Sequence, residues 1–296
     1  MNRLLVSVAA MSLVLVACTS PTDPAAIVDG VEISFARLDS MNIDGEIDDE
    51  ERASSLFLLV LHQILSAGAS EDFGFVASEA QVDAAFGRRA GESDVDERLA
   101  RRGETRERVR VEAALDVIRD EIEEALVRED DSGFDFDRAY RGFLASNSRV
   151  CLVVLNLADA VLVDDIQSRV DAGEDLDAIF ELYPDRTARL DMGCRSPIEH
   201  GPELAPVALD GEVGVSYARP TSGDAIYVAK VTERDAPAAE DVRELVILHG
   251  VETQGPELFN AWAVEQMTSA RVEIADQVGT WEPGPLSEDV PTVVAN

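Results

Sequence analysis

Lysine is all but missing from this chain: Lys230 stands alone, and arginine supplies the rest of the 25 basic residues, set against 59 acidic ones. That skew follows genome composition more readily than function. The net charge of −34 argues against nucleic acid or an anionic lipid surface as a partner. It reads either as a solvated acidic surface or as an attractive field for cationic, unfolded clients. Aromatics are scarce at 5%, so any core is mostly aliphatic. There are three histidines, His62, His200 and His249, none at metal-ligand spacing, and each reads as structural: His62 packed in a helix, His200 on a loop, His249 at a helix end. A glycine-rich phosphate loop, a serine elbow and a ligand cluster are also missing, which argues against a nucleotide-binding protein, a hydrolase or a metalloenzyme. No cofactor and no metal is expected, and no internal repeat is found.

What is present begins with export. Arg3 precedes an uncharged apolar run, Leu4 to Ala17, too short for the roughly 20 residues that span a bilayer. A positive residue, a short apolar stretch and small residues at its end describe a signal peptide, here residues 1–18. No other segment is expected to cross a membrane. Leu15-Val16-Ala17-Cys18 resembles the lipobox of bacterial lipoproteins, in which the cysteine carries acyl chains that partition at about 0.8 kcal/mol per buried CH₂. The resemblance implies lipidation at Cys18, a tether over 19–24, and an exported chain held on the extracytoplasmic face of a bacterial membrane. The alternative is an ordinary cleaved signal. Outside the cytoplasm disulfides persist, and two cysteines remain, Cys151 and Cys194. They read as a disulfide or as two free buried thiols.

With 46% apolar residues over 296, one large domain or two ordinary ones can form. Residues 25–33 read as two short strands around Asp29-Gly30, and Ser34 as a helix cap. An acidic loop from Asp44 leads to a leucine-rich helix over Arg52–Ala67. Ser78 with Gln81 forms a capping box, and helices follow over 78–86, 97–102 and 105–127. Asp130–Phe136 is a break before a helix over 138–145. The character then changes: a strand over 149–157, helices over 161–172 and 176–182, strands near 190–192 and 213–217, and a clear strand over 225–231. Residues 240–267 return to helix with a break near Gly250, 270–275 read as strand, and 284–296 as a disordered tail.

Three segments together resemble the SurA and PrsA group of extracytoplasmic folding factors. Ala26-Ile27-Val28-Asp29-Gly30-Val31-Glu32-Ile33 is similar to that group's first strand and turn. Phe259-Asn260-Ala261-Trp262, Ala270-Arg271-Val272-Glu273-Ile274 and Gly279-Thr280-Trp281 are similar to its last helix and strand. The middle resembles parvulin at Cys151-Leu152-Val153-Val154, Val170 to Leu176, Asp191-Met192-Gly193, Leu209 to Val213 and Lys230 to Arg234. The resemblance implies an α+β protein: a helical chaperone domain from both chain ends (25–146 plus 236–283) with a small parvulin-like α/β domain inserted (147–235). Parvulins place two histidines at the prolyl pocket; here the first position is Cys151 and the second Tyr227, or Ala225. Neither is histidine, so no catalytic residue is assigned and isomerase activity is expected to be weak or absent. If bonded, Cys151 and Cys194 would staple a former catalytic position. The resemblance implies a foldase or chaperone binding unfolded exported polypeptides in an apolar groove around Leu56–Leu65. An active prolyl isomerase and a scaffold lipoprotein with one dedicated envelope partner are the alternatives.

Overall fold

A computed structural model describes residues 24–43, 48–91, 95–129, 132–157, 159–221, 225–282 and 293. The signal peptide, Cys18, residues 19–23 of the tether and the tail over 284–296, save Val293, lie outside the described residues. The protein is α+β and divides into two compact units. One gathers the described residues of 1–64, 86–113 and 268–296, and the other those of 65–85 and 114–267.

The first unit holds a three-stranded antiparallel sheet made from both ends of the chain. Elements are numbered in chain order. β1 (Ala26–Val28) lies between β2 (Val31–Ile33) and β7 (Val272–Ile274). Asp29 and Gly30 both take positive φ, 48° and 84°, the geometry that suits a two-residue hairpin. On the other edge Ile27 faces Glu273, and the Arg271 amide donates to Asp29 Oδ1 at 2.9 Å. Ala26, Val28 and Ile33 are buried, so the pairing is driven by apolar burial as well as by its ladder.

Ser34 caps α1 (Phe35–Ser40), its hydroxyl accepting from the Arg37 amide at 3.3 Å. After it, Ser55 donates to Asn42 Oδ1 at 2.6 Å in a buried pair. That pair ties the segment to α2 (Asp49–Asp72), which runs further at both ends than the leucine pattern indicates. Contrary to expectation, α2 is long and apolar enough by length and composition to cross a membrane. Its leucines, however, make core: Leu56, Leu59 and Val60 are at most 1% exposed. Phe57 stacks on Trp281, with centroids 6.0 Å apart. Then come α3 (Glu79–Ala90), α4 (Val95–Arg102) and α5 (Arg106–Arg128). Ser78 and Gln81 form the expected capping contact, the Gln81 amide donating to Ser78 Oγ at 3.3 Å.

In the second unit α6 (Phe136–Asn147) packs Ala139 and Phe143 against Val246 of α10 (Arg243–Thr253). The helical break falls at Gln254, four residues after Gly250. The Gln254 side chain is consumed there, accepting from the Asp135 amide at 3.1 Å and donating to the Asp135 carbonyl at 2.9 Å. His249 is therefore inside α10 and not at its end. It packs against Gly142, where an added Cβ would sit 2.8 Å from its Nε2. α11 (Gly255–Ser269) closes the unit, with Trp262 Nε1 donating to Asp72 Oδ2 at 2.8 Å.

The same unit carries a four-stranded antiparallel sheet: β3 (Arg149–Leu157), β4 (Thr187–Arg195), β5 (Ser216–Pro220) and β6 (Ile226–Asp235), in the order β4-β3-β6-β5. β3 is covered on both faces. Val150, Leu152 and Val154 pack with Leu204 and with Val207 and Ala208 of α9 (Ala205–Asp210). Leu155 and Leu157 pack with Ile166 of α7 (Val163–Asp171) and with Leu176 and Ile179 of α8 (Leu176–Leu182). Two expectations shift here. β5 starts at Ser216, because Val213 makes only an isolated bridge to Val231 before the positive-φ Gly214 turns the chain. His200 lies in a 3-10 turn (Pro197–His200) and not on an open loop; it is 5% exposed, with Nε2 2.8 Å from the Val150 carbonyl.

Candidate functional site

Side chains alternate across a strand, so β3 sorts its residues onto two faces. Val150, Leu152, Val154 and Asn156 share one; Cys151, Val153, Leu155 and Leu157 share the other. Across the sheet Tyr227 lies opposite Asn156, and Arg219 opposite Tyr227. Tyr227, Tyr217 and Met192 are half-buried on the first face beside the α9 cluster, with Leu190 43% exposed on β4. Asn156 Oδ1 is buried there without a hydrogen-bond partner. An unpaired buried acceptor costs about 1–3 kcal/mol, so polarity at Asn156 is retained against stability.

Cys151 sits at the far end of β3 and on the other face. It stands directly opposite Cys194 of β4 and Glu233 of β6. The two cysteine sulfurs lie within bonding distance, with Cα atoms 3.9 Å apart, and Glu233 Oε2 is 3.9 Å from Cys151 Sγ. The three donor atoms fall within 4.8 Å of one another. Bonded to each other, the sulfurs would not be the thiolates that a metal requires.

The two positions that match the parvulin histidines thus do not converge. Cys151 and Tyr227 are separated by five residues along β3, about 16 Å at the rise of a strand, and face opposite sides. Ala225 precedes β6, and its carbonyl accepts from the amide and hydroxyl of Thr221, each at 3.0 Å. Of the histidines, none enters the Asn156–Tyr227 face among the described contacts. His200 is held by Val150, and His62 sits in α2 with Nδ1 buried and unpaired, where burial, and Arg37 after it, push its pKa down.

Elsewhere the frame is braced by charge. Lys230 Nζ meets Asp175 Oδ2 at 2.5 Å, joining β6 to the N-terminus of α8 and holding the Asp175 carboxyl below its usual range. Arg234 donates to the carbonyls of Leu209 and Gly211 at 2.6 and 2.7 Å, fixing the end of α9. In the leucine-rich stretch expected to line an apolar groove, Leu56, Leu59, Val60, Ile64 and Leu65 are core, while Phe57, Leu58 and Leu61 are half-buried. Asn156 and Glu233 were not singled out in the sequence. Asn156 had a signal, a polar residue at an inward position of an apolar strand; Glu233 had none, because a cross-strand neighbour depends on register.

No family model and no curated protein matches the chain. Several solved structures are similar to it. A peptidylprolyl isomerase (PrsA) of Bacillus cereus is 14% identical, with a TM-score of 0.48 over 88% of this chain and 96% of that one. The PrsA of Bacillus anthracis is 14% identical, with a TM-score of 0.38 over 72% and 95%. A structure from Campylobacter jejuni, described as one of two SurA-like chaperones, is 14% identical, with a TM-score of 0.31 over 85% and 98%.

Proposed function

We propose that this chain is a lipid-anchored, extracytoplasmic folding helper that holds unfolded exported polypeptides. Its inserted domain, residues 147–235, keeps a parvulin-like frame without isomerase machinery. The observation that carries this reading is the sheet in which β1 pairs with β2 on one side and with β7 on the other. It closes the two chain ends on each other, the arrangement that the motifs at 26–33 and 270–281 imply for the SurA and PrsA group. The anchor at Cys18 and the signal over 1–18 rest on the lipobox alone.

Loss of isomerase activity is supported by chemistry and register. Rotation about an X–Pro bond crosses about 18–20 kcal/mol and needs no covalent step, only a pocket that binds the twisted amide better than the planar ones. Such a pocket needs polar groups aimed at one point. Cys151 and Tyr227 lie on opposite faces, and the Ala225 carbonyl is taken by Thr221. We read Cys151 and Cys194 as a disulfide in the exported protein, pinning edge strand β4 to β3.

The test is suppression of aggregation. Stoichiometric protein is expected to hold an unfolded exported client in solution, read by light scattering; no effect at that ratio contradicts the reading. The active-isomerase alternative draws on one observation, the unpaired Asn156 Oδ1 beside Tyr227. A proline-limited peptide assay separates the two, with turnover at nanomolar protein favouring the alternative.

A further inference from the structure

We propose that Cys151–Cys194 is an exchangeable disulfide that oxidises cysteine pairs in unfolded exported polypeptides, with Cys194 as the sulfur attacked. The inference rests on the reading that the two cysteines are bonded in the exported protein.

The two sulfurs have unlike surroundings. Cys151 belongs to inner strand β3 and is 9% exposed. Cys194 belongs to edge strand β4 and lines a hollow of about 620 Å³ together with Arg149, Arg195, Glu199 and Asp235. Exchange proceeds by attack of a thiolate on one sulfur, so it requires access to that sulfur and favours a sulfur that leaves or waits as thiolate. The hollow gives access at Cys194 and not at Cys151. Arg149 and Arg195 balance Glu199 and Asp235 on the wall of this hollow, so in a chain of net charge −34 it is a local exception, close to neutral. Arginine near a sulfur favours the thiolate, so the two arginines temper the repulsion of an incoming thiolate and of Cys194 once released. The free edge of β4 offers backbone to an extended segment, the form in which an unfolded chain presents its cysteines.

The chemistry balances without a further reagent. A client thiolate attacks Cys194 Sγ; the Cys194–Cys151 bond breaks and its electron pair leaves on Cys151 Sγ. That sulfur takes a proton from water. The client's second thiolate then attacks its own sulfur in the mixed disulfide and releases Cys194 as thiolate. The client loses two electrons and two protons; the cysteine pair gains the two electrons and, on Cys151, one proton, and the other proton goes to water.

The experiment uses the purified protein and a linear peptide carrying two reduced cysteines. Thiol counting under denaturing, non-reducing conditions comes first: a bonded pair is expected, and free thiols at both positions would overturn the pairing and the exchange together. Acid-quenched mass analysis of the reaction should then find the mixed disulfide on Cys194, formed about tenfold faster than the peptide reacts with oxidised glutathione. Arg149→Ala with Arg195→Ala should slow it about fivefold, and Arg149→Lys with Arg195→Lys should restore most of the rate. A bonded pair that reacts no faster than glutathione, forms its adduct on Cys151, or ignores the alanine substitutions overturns the exchange and leaves the pairing standing.

Discussion

The two sheets solve closure in opposite ways. The three-stranded sheet is small and non-local: β1 reaches a hairpin partner three residues on and another partner near the far end of the chain. The four-stranded sheet is larger and built within residues 149–235, with apolar layers on both faces of β3. Closing a long loop costs entropy that grows only slowly with length, so a nine-residue ladder holding three buried side chains can still join distant ends. The difference assigns their roles: the small sheet defines the architecture, and the large one carries most of the apolar core around the site.

Substitutions can break that comparison, and the largest effect is expected in the larger sheet. Leu152→Ala removes a fully buried side chain from β3 and should cost about 2–5 kcal/mol. Denaturant melting should show the loss while hydrogen exchange at the Val28 amide stays protected. Breaking the Cys151–Cys194 link by Cys194→Ser should cost about 2–4 kcal/mol, because it releases edge strand β4; an unchanged midpoint would mean that the pair does not form. Val28→Ala in the small sheet should cost about 1–2 kcal/mol and raise exchange at Ala26 and Val28 without touching the β3 amides.

Protonation gives smaller effects, one in each unit. Burial lowers the folded-state pKa of His62. The unfolded chain therefore takes the proton first, and the stability present above about pH 6.5 is lost as pH falls below that value. His62→Gln should flatten the melting temperature between pH 7 and 5. Asp175, held down by Lys230, works in the carboxylate range: its contribution is present above about pH 3.9 and lost as pH falls through the depressed value. The pair is partly exposed, 21% and 42%, so screening limits Lys230→Met to at most about 1 kcal/mol.

The sequence was most legible where local chemistry decides structure. Asp29-Gly30 announces its hairpin, Ser34 and Ser78 their caps, and the apolar alternation of 149–157 the central strand. It was least legible where tertiary context decides. β4 is an edge strand whose residues are mostly exposed, so only Leu190–Met192 carried a signal for a nine-residue strand. α9 is six residues long with Pro206 in its first turn, too short for a helical period to register. The helix break fell at Gln254 because the Asp135 backbone needed its side chain, a need that glycine content at 250 does not reveal. Within the candidate site the two cysteines stood out in the sequence, and the structure brings them together. Their separation from Tyr227 was not, because facing and register exist only once strands are paired.

The central claim is that the chain ends close on each other through β1 and β7. Ile27 and Glu273 face each other across that pair, so Ile27→Cys combined with Glu273→Cys should cross-link on mild oxidation, in protein that still suppresses client aggregation. Absence of the link, with both new thiols free and the protein folded, would contradict the account.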